Sequence, residues 1–155
     1  MGLGFGNLPH SPFLSPVAND VHRITMAAAA SFASFAGHKY LNLETFRKNG
    51  DGVRTPIWFA ADPASSTAQL YIYTTADAGK LKRIRNNGRA RIAPCDVRGK
   101  LLGEWMDARA EIVTGEEAAQ GMRLLDKKYF PWKQILGFFA MFGRRGRSVI
   151  AIRPA

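Results

Sequence analysis

The chain has 155 residues, of which 46% are hydrophobic and 22% are charged, and its formal net charge is +10. This length and composition predict one globular domain and exclude a chain that is disordered throughout. The single cysteine, Cys95, excludes an intrachain disulfide and a cysteine metal cluster, while the basic charge favours an anionic partner.

The beginning of the chain is rich in glycine and proline, which predicts a flexible N-terminal arm over residues 1–16. Residues 17–155 are then expected to form a single domain. Its first helix should begin at Asn19 or Asp20, which can cap it, and end near Ala36, where Gly37 supplies a stop. No apolar run reaches the roughly 18 residues needed to cross a bilayer, so we predict no transmembrane segment and a cytoplasmic protein.

Alternating apolar and polar residues predict strands at Tyr40–Arg47 and Val53–Ala61, joined by a turn at Asn49–Gly52. Pro56 lacks a backbone N–H, which confines the second strand to a sheet edge or a bulge. The remaining predicted elements are the strand Gln69–Thr75, the helix Gly79–Asn87, the strands Arg89–Cys95 and Leu102–Val113, a helix capped by Thr114, a helix from Trp132 to about Phe142, and the strand Ser148–Arg153. Six strands with helices between them indicate an α+β or barrel fold and not a parallel sheet.

The corner between the strand Gln69–Thr75 and the helix Gly79–Asn87 is the strongest candidate binding site in the sequence. Two threonine hydroxyls, a glycine and Lys80 meet there at a helix N-terminus, whose amides carry partial positive charge. Leu81 and Ile84 should be buried, which leaves Lys80 and Arg83 on an adjoining face where the two cations can act together. The arrangement is suited to a phosphate, although corners of this kind also occur in proteins that bind nothing there.

The sequence shows no catalytic triad, no histidine spacing typical of a metal site, and no Walker or dinucleotide fingerprint. We therefore predict no catalytic side chain and no metal ligand. Such a chain can still be an enzyme when a cofactor carries the reaction, because the protein then only has to position the reacting groups.

Four blocks of sequence stand out by their order and spacing, namely Tyr40–Gly50, Arg54–Ala60, Leu70–Lys80 with Arg83 and Asn86–Asn87, and Pro94–Asp96 with Arg98 and Gly99. Together they resemble the pyridoxamine 5'-phosphate oxidase-like, FMN-binding split-barrel superfamily, and most of all its deazaflavin-dependent branch. The resemblance covers about Gly37 to Pro154. It implies a mainly β (α+β) fold, a six-stranded antiparallel Greek-key split barrel with flanking helices, which forms a homodimer with the cofactor in a cleft between the subunits.

The resemblance also implies a cofactor, either FMN or an 8-hydroxy-5-deazaflavin coenzyme, and ten residues that bind it. These are Thr74, Thr75, Gly79 and Lys80 at the phosphate corner, Thr55, Pro56, Ile57 and Trp58 along the ring system, and Arg83 and Arg98 as further cations for the phosphate or an acidic tail. The chain departs from the FMN-using oxidases at Gly79, where they often carry arginine, and lacks their C-terminal Trp and Arg signature. These differences argue against pyridoxamine phosphate oxidation itself and favour a deazaflavin.

The leading hypothesis is a homodimeric oxidoreductase that transfers hydride to or from an unidentified small organic substrate, with no nucleic-acid partner. A second hypothesis is a non-catalytic binder or sensor of a flavin-type ligand. A third is a basic protein that binds nucleic acid or an anionic membrane through its Lys and Arg clusters. A weak interfacial membrane contact through Ile135–Phe142 also stays open, although packing of this segment on the core is favoured.

Overall fold

In the computed structural model of the protein, residues 17, 20–23, 26, 32–65, 68–76, 78–129 and 146–155 are described. Within these ranges the elements are β1 (Tyr40–Phe46), β2 (Gly52–Trp58), β3 (Ala60–Ala61), β4 (Leu70–Thr75), α1 (Gly79–Asn87), β5 (Arg89–Cys95), β6 (Met106–Val113), α2 (Gly115–Tyr129) and β7 (Arg147–Pro154). The predicted arm over residues 1–16 and the predicted helix from Trp132 to Phe142 lie outside the described residues.

The seven strands form one antiparallel sheet in the order β2-β1-β5-β6-β7-β4-β3. Although β2 and β3 stand at opposite ends of this order, only Phe59 separates them in the chain. The segment from Gly52 to Ala61 therefore belongs to both edges of the sheet and curls it into a barrel, with β2 also contacting β4. The predicted split barrel is confirmed, with seven strands and not six because the predicted strand Val53–Ala61 is divided at Phe59.

The division at Phe59 is held by a tyrosine from α2. The Phe59 backbone N–H donates to the Tyr129 hydroxyl at 3.0 Å. The same hydroxyl lies 2.7 Å from the Phe59 carbonyl oxygen and 2.6 Å from that of Lys39. Because backbone groups that leave a ladder still need partners, the Tyr129 side chain replaces the missing strand pairing at this point.

The core has two parts, one on each face of the sheet. The barrel interior is filled by side chains such as Leu43, Ile72 and Ile92, which are almost completely buried. On the outer face, Tyr71 packs against α2, and Gly121 of that helix comes so close that a Cβ there would lie 2.8 Å from the Tyr71 ring. Side chains therefore alternate along β4, with Ile72 on the interior face and Tyr71 on the outer face.

Two element boundaries differ from the sequence-based prediction. The strand predicted from Leu102 begins only at Met106, because the Leu102 N–H donates to the Pro94 carbonyl at 2.8 Å and the chain folds back onto β5. The described end of the first predicted helix, Ala33–Phe35, is a 3-10 turn, followed as predicted by Gly37 with a φ of 80°. Among the described helices, none combines the length and the apolar character needed to span a membrane.

Candidate functional site

The β4–α1 corner, formed by residues 74–80, is fixed by backbone hydrogen bonds. The Ala76 N–H donates to the Gly146 carbonyl at 2.8 Å, and the Ala78 N–H donates to the Thr75 carbonyl at 3.1 Å. Thr74 is buried and Thr75 is exposed. Because neighbouring strand residues point to opposite faces, Thr74 follows the interior face of β4 and Thr75 its outer face.

Within the described residues, the N-terminus of α1 at this corner has no side-chain cap and no acidic residue in its first turn. Ala78 occupies the N-cap position in an extended conformation but provides no side-chain cap, and the first turn contains no acidic residue. Free amides of a first turn attract an anion, and a neutral turn leaves that attraction unopposed. The end of the helix is therefore available to an external anionic group.

Lys80 and Arg83 lie close together on α1, as the spacing predicted. Lys80 is half-buried, and its pKa is lowered by burial and by the nearby charge of Arg83. The Arg83 side chain is anchored, since its Nε donates to the hydroxyl of the buried Thr45 at 2.7 Å. A Cβ at Gly79 would lie 3.1 Å from an Arg83 terminal nitrogen, so the absence of a side chain there lets the guanidinium lie beside the helix N-terminus.

Sequence reasoning missed a group of basic residues next to this corner. A cavity of about 340 Å³ is lined by Arg47, Lys48, Gly79, Lys82, Arg83 and Asn86, and we call it the cationic pocket. Arg47 and Lys48 follow β1 directly, at the end of the strand that α1 contacts. The adjacent basic residues Arg47 and Lys48 were visible in the sequence. Their proximity to α1 arises only when the barrel folds, and no local pattern predicts it.

β2 presents the predicted ring-contacting residues on its two faces. Opposite partners in a ladder share a face, so Thr55 and Ile57, which pair with Leu43 and Leu41, point to the barrel interior. Pro56 and its alternate neighbours point outward. In the sheet order β2 pairs with β1 alone, which confirms the edge position predicted from Pro56 and leaves backbone polar groups along its second edge.

Trp58 and Arg98 lie on the outer face of β2. The Trp58 ring stacks on Tyr129, with centroids 4.6 Å apart and planes inclined by 8°, and it lines a cavity of about 450 Å³. Arg98 is exposed in a turn that approaches the same strand, because a Cβ at Gly99 would lie 3.1 Å from the Pro56 ring. One chain therefore brings together Lys80 and Arg83 on α1, whereas Trp58 lies beside Tyr129 and Arg98 lies in the turn that approaches Pro56.

Cys95 is the one thiol of the chain, and it is buried in β5. Burial, and to a smaller extent the charge of Asp96, raises the pKa of Cys95 to about 11. A reactive cysteine needs a lowered pKa and access to solvent, so this thiol is unsuited to act as a nucleophile.

The chain matches the protein family described as pyridoxamine 5'-phosphate oxidase over residues 27–155. No curated protein sequence matches it significantly.

Several solved structures share its fold at low sequence identity. A protein of Listeria innocua provisionally named a pyridoxamine 5'-phosphate oxidase is 15% identical, with a TM-score of 0.52, over 86% of this chain and 93% of that one. The conserved protein Rv2991 of Mycobacterium tuberculosis is 19% identical, with a TM-score of 0.54, over 81% and 77% of the two chains. The heme storage protein HutZ of Vibrio cholerae is 11% identical, with a TM-score of 0.57, over 81% and 88%. Identities this low indicate a common fold and nothing more specific.

Proposed function

Because the chain belongs to the pyridoxamine 5'-phosphate oxidase family, we propose that it is an oxidoreductase that binds FMN or an 8-hydroxy-5-deazaflavin coenzyme. In this proposal it transfers hydride to or from a small organic substrate. Proteins with this fold include flavin-binding oxidoreductases and also a heme storage protein, so the choice rests on the site itself. The observation that carries it is the uncapped N-terminus of α1 flanked by half-buried Lys80 and anchored Arg83.

The β4–α1 corner fits a phosphate group. Its donors differ in kind, since Lys80 offers an ammonium, Arg83 a guanidinium, and the first turn of α1 a set of amides. Charge-assisted hydrogen bonds of this kind are the strong ones, and partial burial of Lys80 limits screening by solvent. Thr74 is the hydroxyl on the interior face, where it can add a neutral donor.

The free edge of β2 fits the polar edge of a flavin-type ring. Backbone groups between Thr55 and Trp58 have no second strand as a partner among the described residues. Pro56 has no N–H to offer, so a ring lying along this strand would receive no backbone hydrogen bond from that position. The bound ring would supply the hydride chemistry, and the chain would hold it, orient it and exclude water.

The test is direct measurement of affinity for FMN and for the deazaflavin coenzyme by fluorescence titration. Lys80→Ala removes one charged contact and should weaken binding at least roughly tenfold, as expected for a charge-assisted hydrogen bond. Lys100→Ala removes the same charge from an exposed turn and serves as the control. The proposal fails if the unmodified protein binds neither cofactor, or if Lys80→Ala binds as tightly as the control.

Cofactor binding without chemistry would point to the alternative of a flavin-type ligand binder. Protein isolated from a host that makes deazaflavins should be treated with physiological hydride donors. Loss of the absorbance of the oxidised cofactor supports an oxidoreductase, whereas bound cofactor that no donor reduces supports a binder or sensor.

A further inference from the structure

The cationic pocket has a geometry that the proposed cofactor site does not use. One wall is formed by Arg47 and Lys48, which follow β1, and the other by one face of α1, where its residues recur at intervals of three and four. Lys80 is not among the residues that line it. Gly79 and Arg83 lie at the boundary and belong to both places.

The central cation of the pocket is held in position. Nε of Arg83 donates a hydrogen bond to the Thr45 hydroxyl. Among the described residues, none accepts a hydrogen bond from the two terminal nitrogens of the guanidinium. Thr45 is only 1% exposed, so the anchor belongs to the rigid barrel wall. An anchored guanidinium with free terminal donors is arranged to bind an oxyanion through two parallel hydrogen bonds.

The charge of the pocket is not balanced by the protein. Four of its residues are cationic and none is acidic, and no ion pair involves these four within the described part of the chain. Elsewhere in the same structure, Arg54, Arg91, Arg123 and Arg153 are all paired with carboxylates. Burial and the repulsion of Arg47 lower the pKa of Arg83, as expected where like charges crowd together.

We propose that the cationic pocket binds a diphosphate group, at a site that adjoins the β4–α1 corner and shares Gly79 and Arg83 with it. A single phosphate carries a charge of roughly −1.5 to −2, so four cations are better matched by two linked phosphates than by one. A volume of about 340 Å³ has room for such a group, and the Asn86 amide adds a neutral donor. The group can belong to free diphosphate or to a nucleoside diphosphate.

The experiment compares inorganic diphosphate, inorganic phosphate and ADP by isothermal titration calorimetry at physiological salt. The unmodified protein should bind diphosphate at least roughly tenfold more tightly than phosphate, since a second charged group adds further contacts. Equal affinity for ADP and diphosphate would show that the phosphates alone are recognised, while tighter binding of ADP would identify a nucleotide as the ligand. Absence of diphosphate binding would overturn the proposal.

The double variant Lys48→Ala/Lys82→Ala should reduce diphosphate binding at least roughly tenfold. Lys100→Ala/Lys127→Ala removes the same net charge from outside the pocket and should leave the affinity unchanged. An equal loss in both would mean that only the overall charge matters. A single-stranded oligonucleotide that competes for the pocket and binds more tightly than diphosphate would also contradict the proposal, because it would identify a nucleic-acid surface.

The two sites share Gly79 and Arg83, so the variants that separate them change residues that belong to only one site. Lys80→Ala should retain diphosphate binding while losing cofactor binding. Lys48→Ala/Lys82→Ala should lose diphosphate binding and retain cofactor binding. Failure of either half therefore shows which of the two sites is wrongly assigned.

Discussion

At the scale of single residues, Arg83 shows how far local sequence reasoning reaches. Helical spacing predicted that Lys80 and Arg83 would lie on adjoining positions of the helix, and the charge of Arg83 does lower the pKa of Lys80. The hydrogen bond from Arg83 to Thr45 could not be predicted, because the two residues are 38 positions apart and meet only once the barrel has formed. The position of Arg47 in the cationic pocket could not be predicted for the same reason.

Gly79 is the residue that sets the position of the Arg83 guanidinium. Gly79→Ala places a methyl group 3.1 Å from a terminal nitrogen of that side chain, which has to move by a few tenths of an ångström. Alanine also favours the helix by up to about 1 kcal/mol. We expect unchanged or slightly higher stability in urea, together with weaker binding of the cofactor. Tighter binding would contradict the assigned role, and Lys127→Ala, at an exposed position of α2, is the control.

Lys128 is expected to make stability depend on pH. Its ammonium donates to the His38 carbonyl at 2.8 Å and lies 3.5 Å from the centre of the Phe59 ring, and burial there lowers the pKa of Lys128 from 10.5 to about 8. Between these two pH values the unfolded chain binds a proton that the folded protein has released, so the free energy of unfolding should rise with pH from about 8 to about 10.5.

The comparison that isolates this effect is Lys128→Gln against the unmodified protein, in urea titrations across the alkaline range. The rise should be smaller in Lys128→Gln and retained in Lys127→Gln, whose side chain is exposed on the same turn of α2. Parallel stability profiles for all three proteins would contradict the lowered pKa of Lys128.

At the scale of elements, sequence patterns predicted the bounds of a helix or strand correctly where that element buries one face and exposes the other. The bounds of α1 match the prediction from Gly79 to Asn87, since Leu81 and Ile84 turn inward as the spacing requires. The patterns failed at Phe59 and at Leu102, where apolar residues continue but the backbone leaves the ladder. The first boundary is set by the hydrogen bond between Phe59 and Tyr129, which lies 70 residues further along the chain. The second is set by the hydrogen bond from the Leu102 N–H to the Pro94 carbonyl.

The contact between α2 and the outer face of β4 depends on the small size of Gly121. In Gly121→Ala the new methyl group would lie 2.8 Å from the Tyr71 ring and 3.0 Å from a Val149 methyl group. Both neighbours are buried, so we expect a net loss of about 1–3 kcal/mol in the free energy of unfolding despite the better helix propensity of alanine. Urea titration measures this loss, with Lys127→Ala as the control. A gain in stability would show that α2 can shift outward.

At the scale of the whole molecule, the predicted cofactor-binding residues lie in different parts of the barrel. Lys80 and Arg83 lie at the β4–α1 corner, whereas Trp58 and Arg98 lie on the outer face of β2. The superfamily resemblance explains this division through a homodimer, in which a cleft is completed by a second copy. The sequence predicted the fold and the corner, but we propose that a second copy brings these places together, and local patterns do not encode such an assembly.

We predict that the protein is a dimer and that the loop after β5 contributes to the contact. Val97 and Leu102 are 62% and 53% exposed on that loop, beside the outer face of β2. Val97→Glu/Leu102→Glu should shift the mass measured by analytical ultracentrifugation towards the monomer, because charges are costly in an apolar interface. Lys100→Glu, in the same loop, is the control. A monomeric unmodified protein would refute the prediction, and a double variant that stays dimeric would place the contact elsewhere.

The position of β7 between β6 and β4 constrains when the barrel can be completed during synthesis. β1, β2 and β5 lie early in the chain and can pair as they leave the ribosome, but β4 finds its main neighbour only in β7, the seventh strand in chain order. Until then, β4 and β6 have exposed edges facing a gap, and such edges invite pairing with other chains. A ribosome that stalls before residue 147 would therefore carry an open, aggregation-prone half-sheet.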